Sequence, residues 1–143
     1  RWWSSSGVPQ IRNNEMNLNH IALVCSSAEN ADRFFQTCLG LKKTAIKNLS
    51  AEISEKLFNR TEAFQMLYYS NDSLAFEIFV SEQTDRVEKS LGHVCIDVRN
   101  REAFIEKCQT EELEVLKIPK GDSLLVFIKD YDGNAYEIKE RNS

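Results

Sequence analysis

The sequence predicts an α+β fold made of two copies of one small unit, and three observations predict it. His20 and His93 each lie in a similar run of alternating apolar residues. Glu77 and Glu137 each lie in a second kind of apolar run, and a helix-like pattern follows each His. The two His are 73 positions apart and the two Glu are 60 apart, so we expect the second unit to be shorter in its middle.

The first unit is expected over residues 16–80 and reads β-α-β-(α)-β-β. Ser26 and Ser27 are candidates to cap its main helix, and Gly40 can end that helix in a left-handed conformation. Apolar alternation and polar turn clusters mark the remaining elements. In order, we expect a strand at 17–24, a helix at 28–38, a strand at 41–46, a short amphipathic helix or connection at 50–58, and strands at 63–69 and 74–80.

The second unit is expected over residues 91–140 and reads β-α-β-β-β. Its last strand follows Asp130-Tyr131-Asp132-Gly133, which is typical of a tight turn. A charged stretch without periodicity at 81–90 joins the two units. In order, we expect a strand at 92–98, a helix capped by Asn100 and carrying Phe104, Ile105 and Cys108, and strands at 115–118, 124–128 and 135–139.

Residues 1–15 have no periodicity and end at Met16, where the first patterned run begins. We interpret them as a vector-derived leader with Met16 as the natural start, and we exclude them from the fold. Residues 16–143 then form a single domain of two units, because neither unit can bury its sheet alone.

Composition excludes several classes of function. A chain of 143 residues with 42% hydrophobic content can bury one ordinary core. The net charge is −4 with both signs interspersed, so we expect no nucleic-acid partner. No apolar run approaches the roughly 20 residues that cross a bilayer, so we expect a cytoplasmic protein without a membrane partner. Its four cysteines, in apolar runs, are expected to be reduced and mostly buried.

The two His and two Glu form a ligand set that suits a divalent metal. Imidazole and carboxylate together suit Zn, Ni, Co, Mn or Fe(II), and ligand softness does not choose among them. Taken singly, each His can be a hydrogen-bonded core residue and each Glu a solvated strand residue. A carboxylate facing a sheet interior costs several kcal/mol unless a charge compensates it. The two His and the two Glu occupy matching positions in the two units, which favours metal binding over these single-residue interpretations.

A wider set of motifs resembles a known family. The segment from about Met16 to Glu140 is similar to the vicinal oxygen chelate superfamily, which contains glyoxalases, bleomycin resistance proteins and dioxygenases, and it is most similar to glyoxalase I-type proteins. The motifs that carry this resemblance are His20-x-x-Leu23-Val24, the helix end Cys38-Leu39-Gly40-Leu41, Glu77, Gly92-His93, and Asp130-Tyr131-Asp132-Gly133-Asn134-x-x-Glu137.

The resemblance implies a fold, a metal site and an assembly. The fold is a pair of βαβββ units whose curved mixed sheets form an open, pseudo-symmetric barrel around one divalent metal. The implied metal ligands are His20, Glu77, His93 and Glu137. It also implies a homodimer with sites at the subunit interface, although the two units can pair within one chain or between two.

The resemblance also implies an activity on a small molecule. The order His, Glu, His, Glu is similar to bacterial glyoxalase I, a lyase that converts the hemithioacetal of a 2-oxoaldehyde and a thiol into a 2-hydroxyacyl thioester through a metal-bound enediolate. Glu137 is the expected mobile base, with Glu77 opposite it. The alternatives are an acyl-thioester epimerase, a ring-cleaving dioxygenase, or a metal-free drug-binding resistance protein on the same fold.

One departure leaves the thiol co-substrate open. Family members that use glutathione tend to carry an Arg four positions after the first His, and Val24 occupies that place here. The loop at Lys120-Gly121 can meet an anionic end of a substrate, although an exposed turn lysine is the simpler interpretation.

Overall fold

A computed structural model describes Gly7, residues 16–82 and residues 91–141. The predicted leader at 1–15, apart from Gly7, lies outside the described residues, and so do positions 83–90 of the predicted linker. No helix in the described part of the chain is long and apolar enough to cross a membrane.

The first unit has the predicted order of elements. Its elements are β1 (Ile21–Cys25), α1 (Ala28–Ala31) with a π-helical continuation (Asp32–Cys38), β2 (Lys42–Leu49), α2 (Ala51–Phe58), β3 (Phe64–Ser70) and β4 (Ala75–Val80). The second unit has the same order without a counterpart of α2. Its elements are β5 (Val94–Val98), α3 (Arg101–Thr110), β6 (Glu114–Lys120), β7 (Ser123–Lys129) and β8 (Ala135–Glu140).

The two units form two sheets of the same topology. The first sheet has the order β1-β4-β3-β2 and the second has the order β5-β8-β7-β6. In each sheet the first strand runs parallel to the last, and the other neighbours are antiparallel. The predicted α+β fold of two related units is therefore confirmed, with sheets that are not closed into a barrel.

Both predicted His-bearing strands begin later than expected. β1 begins at Ile21, which pairs with Phe76, and β5 begins at Val94, which pairs with Tyr136. The partner strands β4 and β8 begin at positions 75 and 135, only one residue before Phe76 and Tyr136. The residues that precede β1 and β5 therefore have almost no neighbouring strand to pair with. The two His therefore lie on the segments that enter the strands.

The main helix of the first unit contacts both sheets. The backbone N–H of Leu39 donates to the carbonyl of Phe34, five residues back, which is the wider π-type turn. Phe34 and Phe35 are both buried although they are adjacent. The Phe35 ring packs on Tyr69 of the first sheet at 5.1 Å, and the Phe34 ring packs on Tyr136 of the second sheet at 4.8 Å. The two units therefore share one core.

A polar contact also joins the two units. The guanidinium of Arg33 donates to the backbone carbonyl of Glu111 at 2.9 Å and lies over the ring of Tyr131, 4.5 Å from its centroid. The Tyr131 hydroxyl donates to the same carbonyl at 2.7 Å. Because a carbonyl oxygen has two lone pairs, both donors are accommodated.

All four cysteines, each within the described part of the chain, are free thiols. Cys25, Cys38 and Cys108 are buried as predicted, and burial raises the pKa of the Cys108 thiol to about 12. The prediction of mostly buried thiols is therefore confirmed, and Cys95 is the exposed one of the four. Cys95 alternates with Val94 and Ile96 along β5, and the even-numbered positions of that strand face the core.

Candidate metal centre on the two sheet faces

The first His–Glu pair forms within the first unit. Ala22 of β1 lies beside Glu77 of β4 in the sheet, and residues two apart on a strand share a face. His20 therefore approaches Glu77 from the same face, and its Nε2 atom lies 3.3 Å from a carboxylate oxygen of Glu77. Phe76 and Ile78 flank that Glu and point to the opposite, buried face.

The second His–Glu pair repeats this arrangement in the second unit. Cys95 of β5 lies beside Glu137 of β8, and the Nε2 atom of His93 lies 3.4 Å from a carboxylate oxygen of Glu137. The exposed fractions of the side chains also match: 38% for His20 and 14% for Glu77, against 36% for His93 and 17% for Glu137. In each unit the carboxylate is shielded and the imidazole is the more accessible group.

Hydrogen bonds orient both imidazole rings. The Nδ1 atom of His93 lies 3.0 Å from the backbone carbonyl of Leu91, and the Nδ1 atom of His20 lies 2.8 Å from the side-chain oxygen of Asn19. These oxygens only accept, so each Nδ1 carries a proton and donates it. In the neutral ring the lone pair is then on Nε2, which faces the carboxylate.

The separation within each His–Glu pair is that of two ligands of one divalent ion. Metal-bound nitrogen and oxygen lie about 2.0–2.2 Å from zinc, so two ligands of one ion lie roughly 3.0–3.5 Å apart at angles between 90° and tetrahedral. Both His–Glu pairs have this separation. A second group that fixes the free ring nitrogen is also usual for a metal-binding His.

The chain brings together two of its four predicted ligands at a time. Within residues 16–82 and 91–141, no group of three or more His, Cys, Asp or Glu side chains is arranged to hold one ion. Each sheet face therefore carries half of the predicted ligand set, one nitrogen and one oxygen. We call these the first half-site, His20 with Glu77, and the second half-site, His93 with Glu137.

A family comparison decides the membership of the chain. The model of the glyoxalase/bleomycin resistance protein/dioxygenase superfamily matches residues 17–138, which include both half-sites. The chain belongs to this superfamily. The predicted resemblance is therefore confirmed at the level of the superfamily, whereas no protein of curated function matches the chain significantly.

Solved structures share the superfamily fold. A glyoxalase family protein from Bacillus cereus is 14% identical, with 94% of this chain and 100% of that chain covered and a TM-score of 0.71. One from Enterococcus faecalis is 20% identical, with 85% and 95% covered and a TM-score of 0.65. A Glu-to-Gln point mutant of the fosfomycin resistance protein FosX from Listeria monocytogenes, in complex with Mn(II) and 1S,2S-dihydroxypropylphosphonic acid, is 12% identical, with 86% and 88% covered and a TM-score of 0.63.

The turn before β8 positions the second half-site of this superfamily member. The Asp130 carboxylate is buried and accepts hydrogen bonds from the backbone N–H groups of Asp132 and Asn134, at 2.9 and 3.0 Å. It also accepts from the Tyr136 hydroxyl at 2.9 Å, directly before Glu137. Burial raises the pKa of Asp130, and these hydrogen bonds oppose that rise.

Two neighbours of the half-sites were not singled out by the sequence. Cys95 is exposed beside Glu137, and burial raises the pKa of its thiol, with a further rise from the Glu137 carboxylate. Tyr68 of β3 lies beside Glu77 in the first sheet. Alternation along the strand could have identified Cys95, because it lies two positions after His93 and therefore on the same face. The pairing of Tyr68 with Glu77 could be found only from the sheet register.

The two positions that the sequence analysis considered for binding an anionic substrate group, Val24 and Lys120, lie on different strands. Val24 lies on the same face of β1 as Ala22, is exposed and carries no charge. Lys120 ends β6, is exposed, and its backbone carbonyl accepts from the Ser123 hydroxyl at 2.8 Å. Neither residue contacts a His–Glu pair among the described contacts.

Proposed function

We propose that this superfamily member is a divalent-metal-dependent lyase of the glyoxalase I type. It converts the hemithioacetal of a 2-oxoaldehyde and a thiol into a 2-hydroxyacyl thioester. The observation that carries the proposal is the pair of matched half-sites, with Nε2 to carboxylate distances of 3.3 and 3.4 Å. Free thiols throughout the chain fit a reducing, cytoplasmic compartment.

All four predicted ligands would hold the metal. The set of two imidazoles and two carboxylates accepts Ni, Zn, Co, Mn or Fe(II), and Mn(II) is bound by the FosX structure of the same fold. A bound ion of this kind supplies Lewis acidity toward adjacent oxygens of the substrate. The ring hydrogen bonds at Nδ1 keep each His in the orientation that binding needs.

The carboxylates carry the proton transfer. Glu137 accepts the proton from the hemithioacetal carbon, and the same proton returns to the neighbouring carbon, which was the ketone carbon. One C–H bond breaks and another forms, and the hydroxyl proton passes between the two oxygens, so no further reactant is consumed. Glu77 occupies the equivalent place in the first half-site and serves the opposite face of the substrate.

A homodimer completes the site in this proposal. Each half-site lies on the face of a separate sheet, so the first half-site of one chain can meet the second half-site of its partner. Apolar side chains support contact at this face. Leu116 and Ile118 of β6 are exposed there, in line with Phe127 and Leu125 of β7.

Metal analysis and turnover test the proposal together. The protein should bind close to one equivalent of metal per pair of half-sites after reconstitution with Ni, Co, Zn or Mn, and should isomerise a methylglyoxal hemithioacetal. Glu137→Gln should keep its metal and lose at least 100-fold in kcat. Less than roughly half an equivalent of any metal would overturn the proposal, and so would full turnover by a metal-loaded Glu137→Gln variant.

The same assays separate the alternatives. Oxygen uptake with iron would identify a ring-cleaving dioxygenase, and proton exchange into an acyl thioester without thioester formation would identify an epimerase. Tight binding of a drug by metal-free protein would identify a resistance protein that acts by sequestration. The ligand order and the matched half-sites favour the lyase over all three.

A further inference from the structure

We propose that one aromatic position in each sheet sets the separate roles of the two carboxylates. Tyr68 is a positioning residue that holds Glu77 in place. Phe127, at the equivalent position, leaves Glu137 free to turn toward the substrate as the base. This inference rests on the proposed function and deepens it, because it explains which carboxylate of the same site moves.

Burial and geometry do not separate the two carboxylates. The side chain of Glu77 is 14% exposed and that of Glu137 is 17% exposed. Their distances to the Nε2 atom of the neighbouring His are 3.3 and 3.4 Å. A difference in role must therefore come from the side chains that surround each carboxylate.

The sheet registers make Tyr68 and Phe127 equivalent. Tyr68 of β3 lies beside Glu77 of β4, and Phe127 of β7 lies beside Glu137 of β8. Both strand pairs are antiparallel, and the two sheets have the same strand order. Each aromatic residue therefore borders its carboxylate from the same side. The chemical difference between the two side chains is the hydroxyl of Tyr68.

The Tyr68 hydroxyl fixes the carboxylate of Glu77. Burial raises the pKa of the Tyr68 phenol, and a hydrogen bond to Glu77 raises it further, because that bond stabilises the neutral phenol. The hydroxyl also lies 3.9 Å from the sulfur of Met66. A hydroxyl has one proton to donate, and a carboxylate is a much stronger acceptor than a thioether, so the proton is donated to Glu77.

Phe127 gives the second half-site shape without a hydrogen bond. Its ring packs edge-on against the imidazole of His93, with the ring centroids 5.2 Å apart and the planes at 63°. A phenyl ring has no hydroxyl, so Phe127 donates nothing to Glu137. The contact orients the His of this half-site and leaves its carboxylate unanchored on that side.

The strand on the other side of each carboxylate supplies only a weak donor. Ala22 of β1 lies beside Glu77, and Cys95 of β5 lies beside Glu137. Burial raises the pKa of the Cys95 thiol, the charge of Glu137 raises it further, and the thiol hydrogen-bonds to that carboxylate. Because a thiol is a weak donor, Cys95 holds Glu137 less firmly than the phenol of Tyr68 holds Glu77.

A fixed carboxylate and a free one suit different tasks. A ligand is held best when a neighbouring group fixes its orientation, and loss of such a group typically weakens metal binding 10–100-fold. A base must instead rotate to approach the carbon that loses its proton. The hydroxyl at position 68 and its absence at position 127 therefore assign the fixed role to Glu77 and the mobile role to Glu137.

Moving the hydroxyl between the sheets tests this assignment by turnover of a methylglyoxal hemithioacetal. Phe127→Tyr should anchor the base, and should lower kcat about tenfold while KM stays within about twofold. In the wild type, Glu137→Gln should lower kcat at least about tenfold more than Glu77→Gln does. The double variant Tyr68→Phe/Phe127→Tyr should reduce that difference to less than about threefold. An undiminished difference would overturn the inference.

Zn(II) affinity tests the same assignment without turnover. In competition with a chelating dye, Tyr68→Phe should weaken Zn(II) binding about tenfold, and Phe127→Tyr should strengthen it severalfold. Cys95→Ala should change the affinity less than Tyr68→Phe does. Tyr131→Phe is the matched control and should change nothing, because its phenol donates to the carbonyl of Glu111 outside both half-sites.

These affinities separate this inference from the proposed function. The expected changes without turnover by any variant would support the roles of Tyr68 and Phe127 and overturn the proposed lyase. Turnover by the wild type, with Zn(II) affinity unchanged in Tyr68→Phe, would leave the lyase standing and overturn the inference. A purely structural role for Tyr68 would also overturn it, and would lower the unfolding temperature of metal-free Tyr68→Phe without changing its Zn(II) affinity.

Discussion

Asn134, in the turn before β8, donates its side-chain amide to the backbone carbonyl of Val24 at the end of β1, at 2.9 Å. The same amide nitrogen lies 2.8 Å from a carboxylate oxygen of Asp130. One side chain thus connects the strand that follows His20 with the turn that leads to Glu137. The relative placement of the two half-sites within a chain depends in part on this connection.

Replacement of Asn134 should destabilise the protein. Asn134→Ala removes both amide hydrogen bonds and leaves the buried Asp130 carboxylate with one partner fewer, so we expect a loss of about 1–3 kcal/mol in the free energy of unfolding. Urea unfolding followed by circular dichroism measures this. Asn48→Ala, at an exposed position of β2, is the control and should change stability by less than about 0.5 kcal/mol. Equal losses in the two variants would contradict the assigned role of Asn134.

The buried Asp130 should make stability depend on pH in a defined direction. Burial raises its folded-state pKa above the ordinary value of 3.8, so the folded protein holds this proton more tightly than the unfolded chain does. The contribution to stability is therefore fully present below pH 3.8 and is lost as the pH rises through the folded pKa.

A difference measurement isolates this effect from other titrating groups. The free energy of unfolding of the wild type minus that of Asp130→Asn should decrease as the pH is raised from about 3.5 toward 7, because the variant has no proton to lose at this position. Urea unfolding at a series of pH values measures both. A difference that rises with pH would show that the hydrogen bonds to Asp130 outweigh its burial.

Repetition made the architecture predictable. Each His and each Glu recurred in an apolar run, and that repetition was enough to predict two units and their element order. The Gly at position 40 ends the first helix with φ of 71°, as its sequence position predicted. Local sequence pattern and tertiary structure agree at these places because the two units share one strand order.

Cross-strand contacts were not predictable in the same way. Which side chain lies beside Glu77 depends on the register of β3 against β4, and sequence periodicity gives parity but not register. The pairing of Tyr68 with Glu77, and the cation–π contact between Lys47 and the Tyr68 ring, therefore appear only in the structure. The π-helical turn that buries both Phe34 and Phe35 likewise departs from the regular helical spacing on which the prediction relied.

The shared core should make Phe34 more important to stability than most aromatic residues of the chain. It is fully buried, and its ring contacts Tyr136 of the other unit at 4.8 Å. Phe34→Ala should lower the free energy of unfolding by about 3–5 kcal/mol, and Phe34→Leu by about 1–2 kcal/mol if the alanine variant does not fold. Phe58→Ala is the comparison, since Phe58 is 52% exposed, and it should cost clearly less. Thermal and urea unfolding measure all three.

Mixing two inactive variants should reveal how the half-sites combine. His20→Ala removes a ligand from the first half-site and His93→Ala removes one from the second, so each homodimer should lose metal and activity. If a site forms between chains, a mixed dimer contains one site with both substitutions and one site with none. Random exchange makes about half of the dimers mixed, so activity should return to roughly a quarter of the wild-type value.

A site formed within one chain predicts the opposite result in the same mixing experiment. If the two half-sites meet within one chain, every site in the mixture lacks a ligand, and mixing restores nothing. Refolding the two variants together from urea ensures exchange, and light scattering confirms that dimers form. The double variant His20→Ala/His93→Ala mixed with an equal amount of wild type is the control. If sites form between chains, its mixed dimers carry one substitution in each site, so only the wild-type homodimers work and a quarter of the activity remains. If sites form within chains, every wild-type chain stays active and half of the activity remains.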